Sequence, residues 1–410
     1  MIDIAIIGAG AAGIAAARQL ADSGLEVRVL EARGRVGGRG CTDTATLGAA
    51  ADLGAAWLHF ADENPWTALA RAQGCTVIER DPGWGASSRV RGATPTPAQS
   101  AAAEAALGRN WELIGAAAQA GRDVPVSTLL PEDAFRPRFD AIMTWIMGVE
   151  SREVSSVDLD RYAESRCDWA VAEGLGSVLE GAARGLPVRL NTPVSQVHWG
   201  GSRLRLSTPE GEVEARGAIV TVPTSVIHGG GLRFAPPLPQ SHASALADLP
   251  LGSCNKVFFR FDEAQLPPES FHCLADATRS RTIHFGMRPA GQPLVMAYFG
   301  GDLSRDLERE DALAAYAREA LGDIYGAQFA GGICGTLATA WNGDPWARGC
   351  YSSARPGAAD QRRTLSQPVT PRLLFAGEAC DENHYGTIYG AWRSGVAAAD
   401  SLLHTLRTTP

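Results

Sequence analysis

Apolar and polar positions alternate between two regimes along this chain. Residues 2–7 are almost wholly apolar, the pattern of a strand covered on both faces. Gly8-Ala9-Gly10-Ala11-Ala12-Gly13 follows, and residues 14–23 carry a helical spacing that Gly24 can stop. Residues 26–30 predict a second strand, which ends at Glu31. Helical patterns return over 98–120 and 132–147, with Thr94-Pro95-Thr96-Pro97 as the loop before the first of them. From residue 188 the pattern is β. Strands are predicted over 188–190, 194–197 and 203–206, the last joined through Pro209-Glu210-Gly211 to 212–214. Buried strands are predicted over 218–223, 256–261 and 294–298, a strand ending in a turn over 373–378, and a closing helix over 390–406.

The first strand, turn, helix and strand carry a specific signal. Gly8, Gly10, Ala12 and Gly13 form a dinucleotide-binding turn, and an acidic residue, Glu31, ends the next strand about 20 residues on. Gly8 permits the turn, Gly10 lets the backbone approach a pyrophosphate, and Gly13 lets helix and strand pack closely. The helix N-terminus then faces the phosphates. Glu31 would accept the ribose hydroxyls and disfavour a 2′-phosphate. The segment Glu31 to Arg39 adds glycines and three arginines, which a nicotinamide enzyme does not need and a permanently bound FAD does.

Composition narrows the function. The 37 basic and 45 acidic side chains leave a net charge of −8, which argues against a nucleic-acid partner. With 45% hydrophobic residues the chain can bury a large core. No apolar run reaches the ~18 residues of a membrane span, and the N-terminus lacks the basic start of a signal peptide. A soluble, cytoplasmic protein is expected, monomeric or homodimeric, with no membrane partner. The eight cysteines show no CxxC and no zinc spacing, so free thiols and no metal site are expected. The 37 basic residues divide into 36 arginines and one lysine, Lys256.

Further segments stand out: Gly54-Ala55-Ala56-Trp57-Leu58-His59 with Asn64-Pro65, Asn191-Thr192-Pro193-Val194, and Trp341 through Asp344-Pro345 to Arg348-Gly349-Cys350-Tyr351-Ser352. Phe375-Ala376-Gly377-Glu378 and His384-Tyr385-Gly386-Thr387-Ile388-Tyr389 close the series. In this order, over nearly the whole chain, they resemble the flavin-containing amine oxidase family of monoamine oxidases, polyamine oxidases and flavin-dependent histone demethylases. The likeness implies an α/β fold: a Rossmann-like FAD-binding domain over 1–85, 186–250 and 336–410, interleaved with a discontinuous α+β substrate-binding domain over 86–185 and 251–335.

The resemblance also implies roles. Gly38 belongs to the second FAD segment, where Arg33 and Arg39 neutralise the pyrophosphate. Val194 contacts adenine. Ala56, Trp57 and Trp341 line the isoalloxazine. Gly377 and Glu378 bind the ribityl and phosphate region, and the backbone of Thr387 and Ile388 reaches the pyrimidine. Lys256 holds a water against flavin N5. A compact ammonium suits that task, because it donates to one water and its pKa falls readily on burial, whereas a guanidinium is larger and stays charged. Tyr351 and Tyr385 are candidates for an aromatic cage around the substrate nitrogen. His59 resembles a polyamine-site histidine, although Phe60 replaces the family's following glycine. Asp62, Glu63 and Glu173 are candidates for a distal ammonium.

The reaction implied is oxidation of a C–N bond of a small amine or polyamine by hydride transfer to flavin N5. The imine hydrolyses, and O₂ reoxidises the flavin with release of H₂O₂. Gly349-Cys350-Tyr351 matches the monoamine oxidase segment in which cysteine bonds the flavin. A small buried thiol is the simpler reading of Cys350, so non-covalent FAD is preferred and the covalent link stays open. Other readings are an FAD oxidoreductase of the same architecture, such as an L-amino-acid oxidase, carotenoid desaturase or protoporphyrinogen oxidase, and a non-catalytic flavoprotein.

Overall fold

A computed structural model describes residues 2–80, 82, 88–165 and 167–408. The apolar run Ile2–Ile7 forms β1, inside an eight-stranded sheet. It pairs in parallel with β2 (Val27–Leu30) on one side and with the strand Gly211–Val220 on the other. Beyond β2 lies Val188–Arg189, also parallel. The sequence pattern predicts two strands over 212–223. One ten-residue strand runs there instead and changes partner midway. Its first half pairs antiparallel with Leu204–Thr208, and its last three residues pair in parallel with Leu373–Phe375. The pattern reads as two strands because the first half is solvated and the second buried.

Both faces of the sheet are covered, which is why its central strands are continuously apolar. On one face Ile4, Ile6 and Val29 pack with Ile14, Leu179 and Leu402. On the other Ala5, Ile7, Leu30 and Phe375 pack with Leu246 and Leu249. Each of the larger of these side chains contributes ~1.5–3 kcal/mol. Helix α1 (Ala11–Gln19) lies against the closing helix Ile388–Thr408, where a β-carbon on Gly395 would stand 2.3 Å from the Ala12 carbonyl oxygen.

The second sheet is antiparallel, in the order Phe271–Leu274, His284–Met287, Leu294–Gly300, Cys254–Arg260 and Gly335–Ala338. Its odd-numbered core residues Val257, Phe259, Val295, Ala297 and Phe299 pack with Leu303, Leu307 and Leu321 of the helices that follow. The other face carries a row set by the register: Leu274 opposite His284, His284 opposite Tyr298, and Tyr298 opposite Lys256. Helices Pro97–Gln119 and Arg136–Met147 complete this half. Thr96 opens the first with a reciprocal capping box to Gln99, and left-handed Gly148 closes the second. The boundary expected at 85/86 lies outside the described residues. No described helix is long and apolar enough to cross a membrane.

Candidate active site

The two sheets and helices enclose a cavity of about 1030 Å³, at the upper end of the size of small-molecule sites. Every residue singled out above for the cofactor or the reacting centre lines it except Gly13, which packs behind the turn; the three carboxylates singled out for a distal ammonium do not. A β-carbon on Gly13 would stand 2.0 Å from the Gly8 carbonyl oxygen, while one on Gly10 would meet only open space. Gly8 itself has φ +108°. Helix α1 begins at Gly10 without a side-chain cap, so its first N–H groups open toward the cavity. Glu31 is buried and accepts the backbone N–H groups of Ala9 (2.7 Å) and Arg33 (2.8 Å). The Arg33 fork is committed to Asp344, at 2.7 and 2.8 Å.

Arg39 pairs with Glu378 at 3.0 Å and also donates to the Cys350 carbonyl. Glu378 accepts further hydrogen bonds from the Ser352 hydroxyl (2.6 Å) and the Gly386 N–H (3.0 Å). Burial works against its ionisation, but the Arg39 charge and the Ser352 hydrogen bond, with Arg362 and Gly386 behind them, outweigh it and hold the carboxyl below its ordinary range. A carboxyl whose folded pKa is depressed stabilises the fold fully above its unfolded pKa and loses that contribution as pH falls through the folded value. Glu378→Gln is therefore expected to lower the melting temperature at pH 7, by about 1–3 kcal/mol of stability. It should also flatten the loss of stability below about pH 4.5. Thermal melts across pH check this, and superimposable acid limbs would count against it.

Lys256 is 7% exposed. Its Nζ donates to the carbonyl oxygens of Asp52 (2.8 Å) and Gly54 (2.6 Å). Burial lowers its pKa to about 8, against the opposing pull of the Asp52 carboxylate. An ammonium has three donors, so one remains for a further acceptor. Trp341 is anchored beside it through Nε1 to the Leu53 carbonyl (3.0 Å).

The Tyr351 hydroxyl lies 2.8 Å from that of Tyr298, donates to the Trp145 carbonyl, and receives the Cys254 thiol at 3.1 Å. Burial and the neighbouring Cys254 push the Cys350 thiol well above its ordinary value. Tyr385 is almost wholly buried, and its hydroxyl donates to the Asp158 carbonyl at 3.0 Å. His59 stands at the wall with Nδ1 2.8 Å from Asp168. Phe60 takes the left-handed conformation (φ +53°) that favours glycine, and its ring packs on His384 and Tyr389.

Asp62, Glu63 and Glu173 do not line the cavity: Glu63 accepts the Tyr389 hydroxyl, and Glu173 accepts the Thr76 N–H and hydroxyl. Besides Glu31 and Glu378, four carboxylates do line it: the exposed Glu104, Asp160 and Glu164 in its outer part, and Asp168, which is paired with His59.

Several wall residues escaped the sequence reading. Tyr298 and His284 follow from the strand register opposite Lys256, which an alternation count on those strands could have exposed. Trp57, His272, His284 and Trp145 form a run of neighbouring rings at centroid distances of 6.0, 4.9 and 5.2 Å. Burial lowers the pKa of His272 to about 4 and of His284 to about 3, so both are neutral at pH 7. Arg362 and Asp158, both fully buried, pair through two hydrogen bonds of 2.7 and 2.9 Å. Arg362 also donates to the Ser352 hydroxyl at 2.7 Å.

A glycine turn at an uncapped helix, an acidic residue ending the next strand and a cavity running between two sheets define a protein built to hold a dinucleotide cofactor, with a buried lysine at the cavity wall. The model of the flavin-containing amine oxidoreductase family matches residues 11–78 and 130–403, and the chain belongs to that family. It is 27% identical to probable polyamine oxidase 4 of Arabidopsis thaliana, over 97% of this chain and 86% of that protein. It is equally identical to polyamine oxidase 4 of Oryza sativa subsp. japonica, over 97% and 88%. It is 24% identical to lysine-specific histone demethylase 2 of Homo sapiens, over 97% of this chain but 53% of that protein.

Proposed function

We propose that this protein is an FAD-dependent oxidase of a small amine or polyamine, releasing H₂O₂ from O₂. In this reading a Rossmann-like FAD domain is interleaved with the substrate domain over the segments given above. The uncapped start of α1, the open space at Gly10 and the Glu31 carboxylate fit the phosphates and ribose of FAD. Glu378 and Arg39 fit its central part. The raised pKa of Cys350 favours a non-covalent flavin. Eight free thiols suit the reducing cytoplasm.

A bound flavin supplies the two-electron acceptor for the C–N bond. The chain's own residues bind, orient and desolvate the amine. Tyr351 presents aromatic surface to the substrate nitrogen, while Tyr385, almost wholly buried, backs the wall. The nitrogen must be neutral, because an ammonium has no lone pair to stabilise the developing imine. The outer carboxylates suit a distal ammonium, and the similarity to polyamine oxidases supports the same substrate class. Lys256 carries the reading: the chain's one lysine is buried at the cavity wall, with two donors held by carbonyls and one left to position a water.

The test is anaerobic mixing of the flavin-loaded protein with mono-, di- and polyamines and amino acids, followed by peroxide measurement in air. Amines are expected to bleach the flavin and yield peroxide. A response to amino acids alone would favour the amino-acid oxidase reading, and no bleaching by any of them a non-catalytic flavoprotein.

A further inference from the structure

Three successive carbonyls hold two side chains of the cavity wall. Those of Asp52 and Gly54 accept Lys256 Nζ, and that of Leu53 between them accepts Trp341 Nε1. Leu53 and Gly54 line the cavity, and Asp52 does not. The Asp52 carboxylate is bound instead at the start of the helix Leu175–Ala183, where it accepts the Leu175 N–H at 2.9 and 3.1 Å and the Thr42 hydroxyl. Gly174, at the cap position of that helix, has no side chain to offer, so Asp52 supplies the acceptor from another part of the chain. The positive end of the helix adds to the hold on a carboxylate. Thr42 in turn accepts the Gly176 N–H at 2.8 Å.

We propose that Asp52 is a positioning residue that ties this helix to Lys256, fixing the carbonyl that aims the lysine and supplying the negative charge that keeps its third donor in place. The use of that donor in turnover rests on the amine-oxidising reading of the cavity; the link between Asp52 and Lys256 does not. The Asp52 carbonyl binds Nζ while its side chain is tied to the helix, so a carboxylate that shifts carries the carbonyl with it. Burial disfavours the ammonium, and Asp52 and Cys254 are the neighbouring charges that oppose this. Without the carboxylate the lysine gives up its proton more readily. An ammonium has three N–H donors and a neutral amine two. The carbonyls of Asp52 and Gly54 take two, so only the protonated form has one left for a water. Asp52 does not reach the cavity and acts through Lys256.

The chain has one lysine, so flavin-loaded protein carrying lysine with a labelled ε-carbon gives one side-chain resonance, and its titration across neutral and alkaline pH reports Lys256 alone. Asp52→Asn removes the charge and keeps an acceptor for the helix, and Asp52→Ala removes both. Both variants should move the midpoint to lower pH than wild type. The alanine variant should also melt lower than the asparagine one, because it alone loses the cap. An unchanged midpoint in folded Asp52→Asn overturns the proposal and leaves Asp52 as a helix cap. If neither variant folds, Thr42→Val decides: Thr42 touches the carboxylate and not the lysine, so a resonance unchanged in position and midpoint overturns the proposal. With amines, Asp52→Asn should slow flavin reduction about three- to tenfold at pH 7 with substrate affinity unchanged, and should slow it no further in the Lys256→Met background. Equal slowing in both backgrounds overturns an action through the lysine. If no amine reduces the flavin, the reading of the cavity fails, and the titration still decides the link.

Discussion

Lys256→Met is expected to leave the flavin bound and to lower amine turnover by about a hundredfold or more, the scale on which a positioned proton-handling group acts. The Nζ is held by two backbone carbonyls, so its one remaining donor has a fixed direction. Methionine fills a similar volume and removes the donor. The same variant has a second signature that does not depend on turnover. The lysine's pKa falls from 10.5 to about 8 on folding because burial disfavours its charge. Between these values the unfolded chain holds a proton that the native protein has released, so stability rises with pH across that window. The methionine variant should lack this rise. Stopped-flow reduction and melts from pH 7 to pH 10 give the two readings. Near-normal flavin reduction, with the rise abolished, would leave Lys256 as a buried structural residue.

The parts of this molecule that follow local rules were legible in its sequence. The β1, α1 and β2 elements each carry their own periodicity, and the glycine turn between them needs no distant partner. The flavin segments are contiguous runs, so position along the chain was enough to bring them together. What escaped were contacts between residues far apart. Arg362 sits beside Arg363 in sequence, yet the first is fully buried and the second exposed on its ion pair with Glu382. Nothing in Gln361-Arg362-Arg363 separates them, because the partner of Arg362 lies 204 residues away. The outer carboxylates were misjudged for the same reason. Asp62 and Glu63 are close to His59 in sequence, but the helix at Pro65 follows at once, whereas Glu104 and Asp160 reach the cavity from helices that only tertiary packing brings there.

That hidden pair should also carry the largest effect on stability. Arg362→Gln alone is expected to cost ~3–5 kcal/mol, because it strands the Asp158 carboxylate without its ion pair at full burial. Ser352 and the Tyr385 ring lose a partner at the same time, and through Ser352 so does Glu378. Adding Asp158→Asn removes the stranded charge and should recover part of the loss, giving a coupling energy of at least ~1 kcal/mol between the two sites. Flavin binds only the native state and raises apparent stability by mass action, so the four proteins of the cycle are compared by denaturant melts at one fixed excess of FAD. Additive losses would mean that Arg362 and Asp158 each serve other neighbours. Coupled losses would mean that one buried ion pair holds together the Tyr385 ring and, through Ser352, the Glu378 carboxylate.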